Sequence, residues 1–285
     1  MVTTVRVEAT RDERSGRTPF GVLTGPQPAH DTVLLLPRVA LVQRPSPTIT
    51  LRANVGRYAR LPSFVELYGN SGFLVGNTEL RPESAWNGDF GGAWRSDHFT
   101  VEASAFGALV RDLIQFQQDA YGRAHPRNVG QARLLGLEAS LQARWSRWGR
   151  LVSSFTYDDA RDTSTSTASR ARQLPFRPRL RWYTRPEVRD VQLGVLRVGV
   201  YGDLDVTGGD YLDPANLVEV PRRVLLGAGA WVEWQGLRLL ATAQNLTDSR
   251  ISDVAGFPLP GRAFYLTLSA ALGRTARTPN EEPAL

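Results

Sequence analysis

The sequence predicts an all-β protein, an antiparallel transmembrane β-barrel of about twelve strands. Three observations carry this prediction. Alternation of apolar and polar residues with a period of two recurs along the chain, and no stretch sustains a 3.6-residue period. Several alternating runs are much longer than a soluble strand of about 5–6 residues, and at about 3.3 Å per residue and a tilt of roughly 40° they are long enough to cross a hydrocarbon layer. The connections alternate short and long, as in a meander whose long segments all project from one end.

The predicted strands are 2–9, 32–44, 48–59, 83–96, 98–116, 128–146, 149–161, 174–185, 190–205, 221–234, 236–247 and 262–273. The short connections read RPSPT (44–48), RSDH (95–98), SRWG (146–149), RPEVRD (185–190) and WQG (234–236). Between them lie long polar segments at 10–31, 60–82, 117–127, 162–173, 206–220 and 248–261. A Greek-key sandwich would not alternate so regularly.

The faces sharpen this. Leu135, Leu137, Ala139, Leu141, Ala143 and Trp145 share one side of their strand; Gly136, Glu138, Ser140, Gln142 and Arg144 share the other. Val224, Leu226, Ala228, Ala230, Val232 and Trp234 share a face, as do Phe264, Leu266, Leu268, Ala270 and Leu272. Trp94, Trp145, Trp182 and Trp234 are read at the short-connection ends of their strands, and Trp86, Tyr157 and Phe264 at the opposite ends. Two aromatic levels bracketing an Ala/Val/Leu band match the girdles of a barrel in lipid. The apolar face then meets lipid and the polar face lines a lumen. In lipid, strands survive only with every backbone group paired.

Composition narrows the classes. The longest apolar runs fall far short of the ~18 residues of a membrane-spanning helix. Met1 is followed by VTTVRVEATRDER, which has no apolar h-region, so no secretory signal is expected in this stretch. Cysteine is absent, which removes disulfides, thiolate metal sites and cysteine nucleophiles. Every basic residue is arginine and the net charge is +6, but the arginines spread from Arg6 to Arg277 rather than forming a patch, so nucleic acid is not the expected partner.

Five stretches, in order, resemble the TonB-dependent outer-membrane receptors, in the C-terminal part of their barrel. They are LPRVALVQRPSPTITLRANVGRYARLPSFVELYG (36–69), GNTELRPESAWNGDFG (76–91), FGALVRDLIQF (106–116), RNVGQARLLGLEASL (127–141) and QNLTDSRISDVAGFPLPGRAFYLTLSAAL (244–272). Locally these are turn and strand signals: Gly76-Asn77 tolerates positive φ, Pro82 favours an extended neighbour, and Asn245 and Asp248 bond nearby backbone. The resemblance implies uptake of a scarce large solute such as a ferric siderophore, with outer-membrane lipid and the TonB complex as partners. It implies long segments facing outside and short turns facing the periplasm. It also implies a 22-stranded barrel, of which residues 1–273 would be a portion and 274–285 a polar C-terminal tail. The plug domain and signal peptide, and with them the TonB contact, are expected to lie outside this chain. An autonomous porin-like barrel or adhesin is the alternative.

Chemistry is sparse. His30, His98 and His125 are read in separate loops or turns, and neither HExxH, G-x-S-x-G nor a phosphate loop occurs, so no enzyme, metal or cofactor is expected. GNSGF (69–73) reads as a loop, and Asp158, Asp159 and Asp162 lack the spacing of a calcium loop. Arg177, Arg179 and Arg181 alternate with Pro178, Leu180 and Trp182 and are read on one face. Two readings remain open for them: a basic track for an anionic ligand, or charges paired with carboxylates on neighbouring elements. The loop aromatics Phe73, Tyr121 and Tyr211 are further ligand candidates.

Overall fold

The computed structural model describes residues 2–12, 16–17, 23–24, 30–71, 74–118, 123–128, 130–164, 170–250, 252–254 and 257–271. Twelve strands form one sheet: β1 (Val2–Asp12), β2 (His30–Ser46), β3 (Ile49–Arg60), β4 (Glu83–Arg95), β5 (Phe99–Arg111), β6 (Gln131–Arg144), β7 (Gly149–Asp162), β8 (Leu180–Leu193), β9 (Leu196–Thr207), β10 (Arg223–Trp234), β11 (Leu237–Gln244) and β12 (Ala263–Ala270). Each is hydrogen-bonded to the next in chain order. No helix is long and apolar enough to cross a membrane; the sole helix among the described residues is the short α1 (Phe64–Tyr68).

Register sorts the side chains as the alternation requires. Val232 stands across from Leu239, and Leu239 across from Leu268, whereas Glu233 stands across from Arg238, and Arg238 across from Ser269. A one-residue slip would put Glu233 and Arg238 on the apolar face. On that face Phe264 and Leu266 are each 71% exposed and Trp94, Trp145 and Trp234 are also exposed. In water this would be an unstable surface; in a bilayer it is the expected one.

Contacts cluster into two compact units. The first comprises Met1–Gln142, Ser153–Trp182 and Val206–Arg223; the second comprises Ala143–Val152, Tyr183–Asp205 and Val224–Leu285. Small apolar clusters sit in the first: Leu67, Tyr68, Leu80 and Ile114 in one, Ala132, Ala160 and Leu174 in the other. Shape organises the second. A Cβ on Gly199 would come 2.5 Å from the Trp231 ring, one on Gly229 would overlap the Tyr201 ring, and one on Gly227 would overlap the Asp203 carboxylate. Trp231 is thereby laid flat and buried, with Arg238 stacked 4.3 Å above it.

The structure moves several predicted boundaries. The predicted strand 98–116 ends at Arg111; Asp112 takes φ +57 and the chain resumes at Ile114–Gln118 in a separate small sheet. Residues 124–128, read as loop running into the next strand, pair with 114–118 as a hairpin that carries His125. RPEVRD is not a turn: β8 runs through Pro186, and the chain reverses at Gly194-Val195, where Gly194 takes φ +61. Proline is a strong breaker signal, but the alternation of Arg185, Glu187 and Arg189 with Pro186 and Val188 carries the strand on. Trp182 is accordingly the third residue of β8, at the long-segment end rather than the short-turn end, and its Nε1 donates to Ser153 Oγ at 3.1 Å.

Candidate functional site

The long segments of the first unit are built from capping and amide chemistry. After β3, Pro62 and Ser63 start α1 with a capping box: Ser63 Oγ accepts from the Glu66 N–H, and the Glu66 carboxylate accepts from the Ser63 N–H at 2.7 Å. Glu66 also takes Arg60 at 2.9 Å, and Arg60 bonds Glu83 at 2.8 Å through two nitrogens. Glu83 in turn accepts from the Ile114 N–H at 2.7 Å. Burial alone pushes the Glu66 carboxyl up, but the bonds from Arg60 and Ser63 together outweigh it and hold the group below its ordinary value.

Three asparagines and a serine extend this bracing. Asn128 accepts from the Arg81 N–H at 2.9 Å and donates to the Arg81 and Asp112 carbonyls at 2.9 and 2.7 Å. Asn77 donates to the Pro126 carbonyl at 3.2 Å. Ser164 Oγ accepts from the Gln131 N–H at 3.0 Å. Asn216 brackets Gln173, accepting its N–H and donating to its carbonyl, each at 2.9 Å. The motifs RLPSFVEL, GNTELRPE and RNVG, far apart in sequence, thus meet in one hydrogen-bonded collar. Their spacing alone does not reveal that they meet.

Beside the collar lies a cavity of ≈ 540 Å³ lined by Phe106, Glu138, Asp158, Phe176, Arg177 and Arg181 among others. A second cavity of ≈ 590 Å³ shares Phe106, Glu138 and Thr156 with it and adds Arg52, Asp89 and Glu102. The first combines two cations, two carboxylates and two aromatic rings, a lining suited to a charged organic ligand.

The three predicted arginines separate. Arg177 and Arg179 lie in the segment before β8, which starts only at Leu180, so strand alternation does not align them. Arg177 stands 3.8 Å from Asp158 and reaches the cavity. Arg179 stands 3.7 Å from Asp159, which also takes Arg161 at 2.8 Å and Arg133 at 3.4 Å. Arg181, on β8, lines the cavity and makes no ion pair among the described residues, only its field reaching Asp158. Asp158 and Asp159 therefore serve arginines, and no group of described His, Asp and Glu side chains could hold a metal. Tyr211 pairs with Glu219 in a short hairpin next to Phe176; Phe73 and Tyr121 lie outside the described residues.

Phe176 carried no sequence signal as a site residue. It sits at φ +58 directly after Pro175, in a turn where glycine is usual. An aromatic residue there costs on the order of 1–2 kcal/mol.

The model of the family "TonB dependent receptor-like, beta-barrel" matches residues 2–246. Transferrin-binding protein A of Neisseria meningitidis serogroup B is 35% identical over 114 residues, which is 36% of this chain and 12% of that protein. The same protein from strain ATCC BAA-335 / MC58 is 26% identical over 245 residues, 79% of this chain and 26% of that protein. Among solved structures, the siderophore receptor PiuA of Acinetobacter baumannii superposes with a TM-score of 0.75 at 18% identity, covering 94% of this chain and 40% of that one. The ferric yersiniabactin uptake receptor FyuA of Yersinia pestis gives 0.70 at 15% identity, covering 93% and 40%. The chain therefore spans 12% and 26% of those curated relatives and 40% of those solved chains.

Proposed function

Because this chain belongs to the TonB-dependent receptor β-barrel family, whose members are transport receptors of the Gram-negative outer membrane, we propose that it walls a receptor for a scarce, large, anionic solute such as a ferric siderophore. The observation that supports the cargo class is the cavity in which Arg181 makes no ion pair among the described residues and Arg177 is held loosely by Asp158. Here the two open readings divide. Arg179 is one of three arginines around Asp159 and serves structure. Arg177 and Arg181 face the ligand. Energy coupling to TonB by way of a plug domain belongs to the same reading. So does a lipid contact through the face that carries Trp94, Trp145 and Trp234.

The test is a titration of the chain, folded in detergent micelles, with iron-loaded siderophores. A charged hydrogen bond is worth about 1.5–3 kcal/mol, so Arg181→Gln and Arg177→Gln should each weaken binding about tenfold. Unchanged affinity in both variants would remove the arginines from the site.

A protein ligand is the second reading. It is favoured by Phe64, Val65 and Leu217, large apolar side chains left exposed on the long segments, and by the transferrin-binding relatives. Saturable capture of iron-loaded transferrin by the folded chain, lost in Phe64→Ser, would establish it; no capture would dismiss it.

A further inference from the structure

We infer that Phe176 is a specificity-determining residue of this cavity, one that selects anionic ligands carrying a flat aromatic face over aliphatic ones. The inference rests on the cavity being the ligand site and adds what kind of ligand it takes.

Phe176 combines features that ordinary turn residues lack. Its φ of +58 is rarely adopted by a bulky side chain, and glycine would satisfy the same turn without strain. Its ring is not stored in a core to offset that strain; it is 60% exposed and lines the cavity. The backbone on both sides is over-determined. The Phe176 N–H donates to the Tyr211 carbonyl at 3.0 Å. On the near side, Gln173 is buried, and its Nε2 donates to the Arg177 carbonyl at 2.6 Å and to Asp210 Oδ1 at 3.3 Å. Asn216 fixes the Gln173 backbone from the other side. Strain held in place by surrounding bonds, with the strained side chain exposed, marks a side chain presented to something outside the fold.

The neighbours say what that is. Arg177 follows Phe176 in sequence, and Arg181 lies on the same cavity wall. A ring beside two guanidinium groups offers stacking and charge together. An aromatic acid or an aromatic metal chelate uses both; an aliphatic carboxylate chelate uses only the charge.

The experiment compares two iron(III) complexes, that of 2,3-dihydroxybenzoate and that of citrate, by titration against the full chain in detergent micelles. Phe176→Gly keeps the turn and removes the ring; Phe176→Tyr keeps both. We expect Phe176→Gly to raise the Kd of the dihydroxybenzoate complex at least tenfold while that of the citrate complex stays within twofold, and Phe176→Tyr to keep both within threefold. Equal weakening of both complexes, or no change in either, overturns the inference. If Arg177→Gln and Arg181→Gln weaken neither complex, or the unaltered chain binds neither, the cavity itself is not the ligand site and both readings fall. If the arginine variants weaken both complexes while Phe176→Gly weakens neither, only the aromatic selection falls.

Discussion

The two compact units hold their strands with a different emphasis. In the first, polar side chains reach across long segments to backbone: Asn128 ties Arg81 to Asp112, Asn216 brackets Gln173, and Arg60 joins Glu66 to Glu83. In the second, Trp231 lies against Gly199, Tyr201 against Gly229 and Asp203 against Gly227. The contrast is one of emphasis, since Gly136 lies against the Phe106 ring in the first unit and Asn245 bonds the Ser249 and Pro260 carbonyls in the second; it teaches that directed bonds gather where long segments cross and steric fit gathers along the strands.

Three substitutions and a pH series sharpen or break that contrast. The largest effect is expected at Gly229→Val, which drives a side chain into the Tyr201 ring. Overpacking of this kind costs about 1–3 kcal/mol, to be read from the urea midpoint of the chain folded in micelles. The double variant Gly229→Val with Tyr201→Ala should recover part of the loss; equal destabilisation in the double would mean that the ring does not fill the slot.

Next comes Arg60→Ala. It leaves two largely buried carboxylates, Glu66 and Glu83, without their cation. Breaking a fully buried pair costs about 3–5 kcal/mol, and the half-exposed Arg60 should give about 2. Hydrogen exchange should show the loss in residues 63–68; protection equal to that of the parent would count against the collar. Asn128→Ala should follow at about 1 kcal/mol, less than the sum of its three hydrogen bonds because two of them are exposed, with faster exchange at Arg81.

The smallest effect is that of pH. Glu66 titrates below the ordinary value of 4.5 when folded, so its contribution is complete above that value and is lost as pH falls through the depressed one. Protection of the Glu66 amide, corrected for intrinsic exchange, should therefore hold steady down to about pH 4.5 and fall in stronger acid. Glu66→Gln should abolish that dependence.

How much of this was legible in the sequence follows the same division. The last strand was readable over Ala263–Ala270, because Phe264, Leu266 and Leu268 alternate with Tyr265, Thr267 and Ser269 and the register keeps them apart; Leu272, read on the same face, lies outside the described residues. The short connection read as WQG (234–236) was readable too, although the strand keeps Trp234 and the turn is Gln235-Gly236. The turn after β8 was misplaced because Pro186 outweighed Gly194 as a breaker, although only Gly194 stands at a reversal. The collar was invisible because its bonds join residues 43 and 47 positions apart, with no period to announce them. Phe176 was invisible for another reason: φ is a property of the folded backbone, and nothing about the letters LPFRP states it.

The displaced reversal has a consequence of its own. The Arg189 N–H donates to the Trp148 carbonyl, at the point where β7 begins. Past Asp190, which takes φ +57, the three residues from Val191 to Leu193 therefore run on beyond their neighbour, roughly 10 Å at strand rise. Arg197 pins the base of this arm through Asp190 and Glu233, and its tip carries Val195, 75% exposed. A protruding, braced tip of this kind is a natural address for a tag. An epitope inserted after Gly194 would tell, from intact and ruptured cells, which side of the membrane the short turns occupy, with little of the sheet disturbed in the asking.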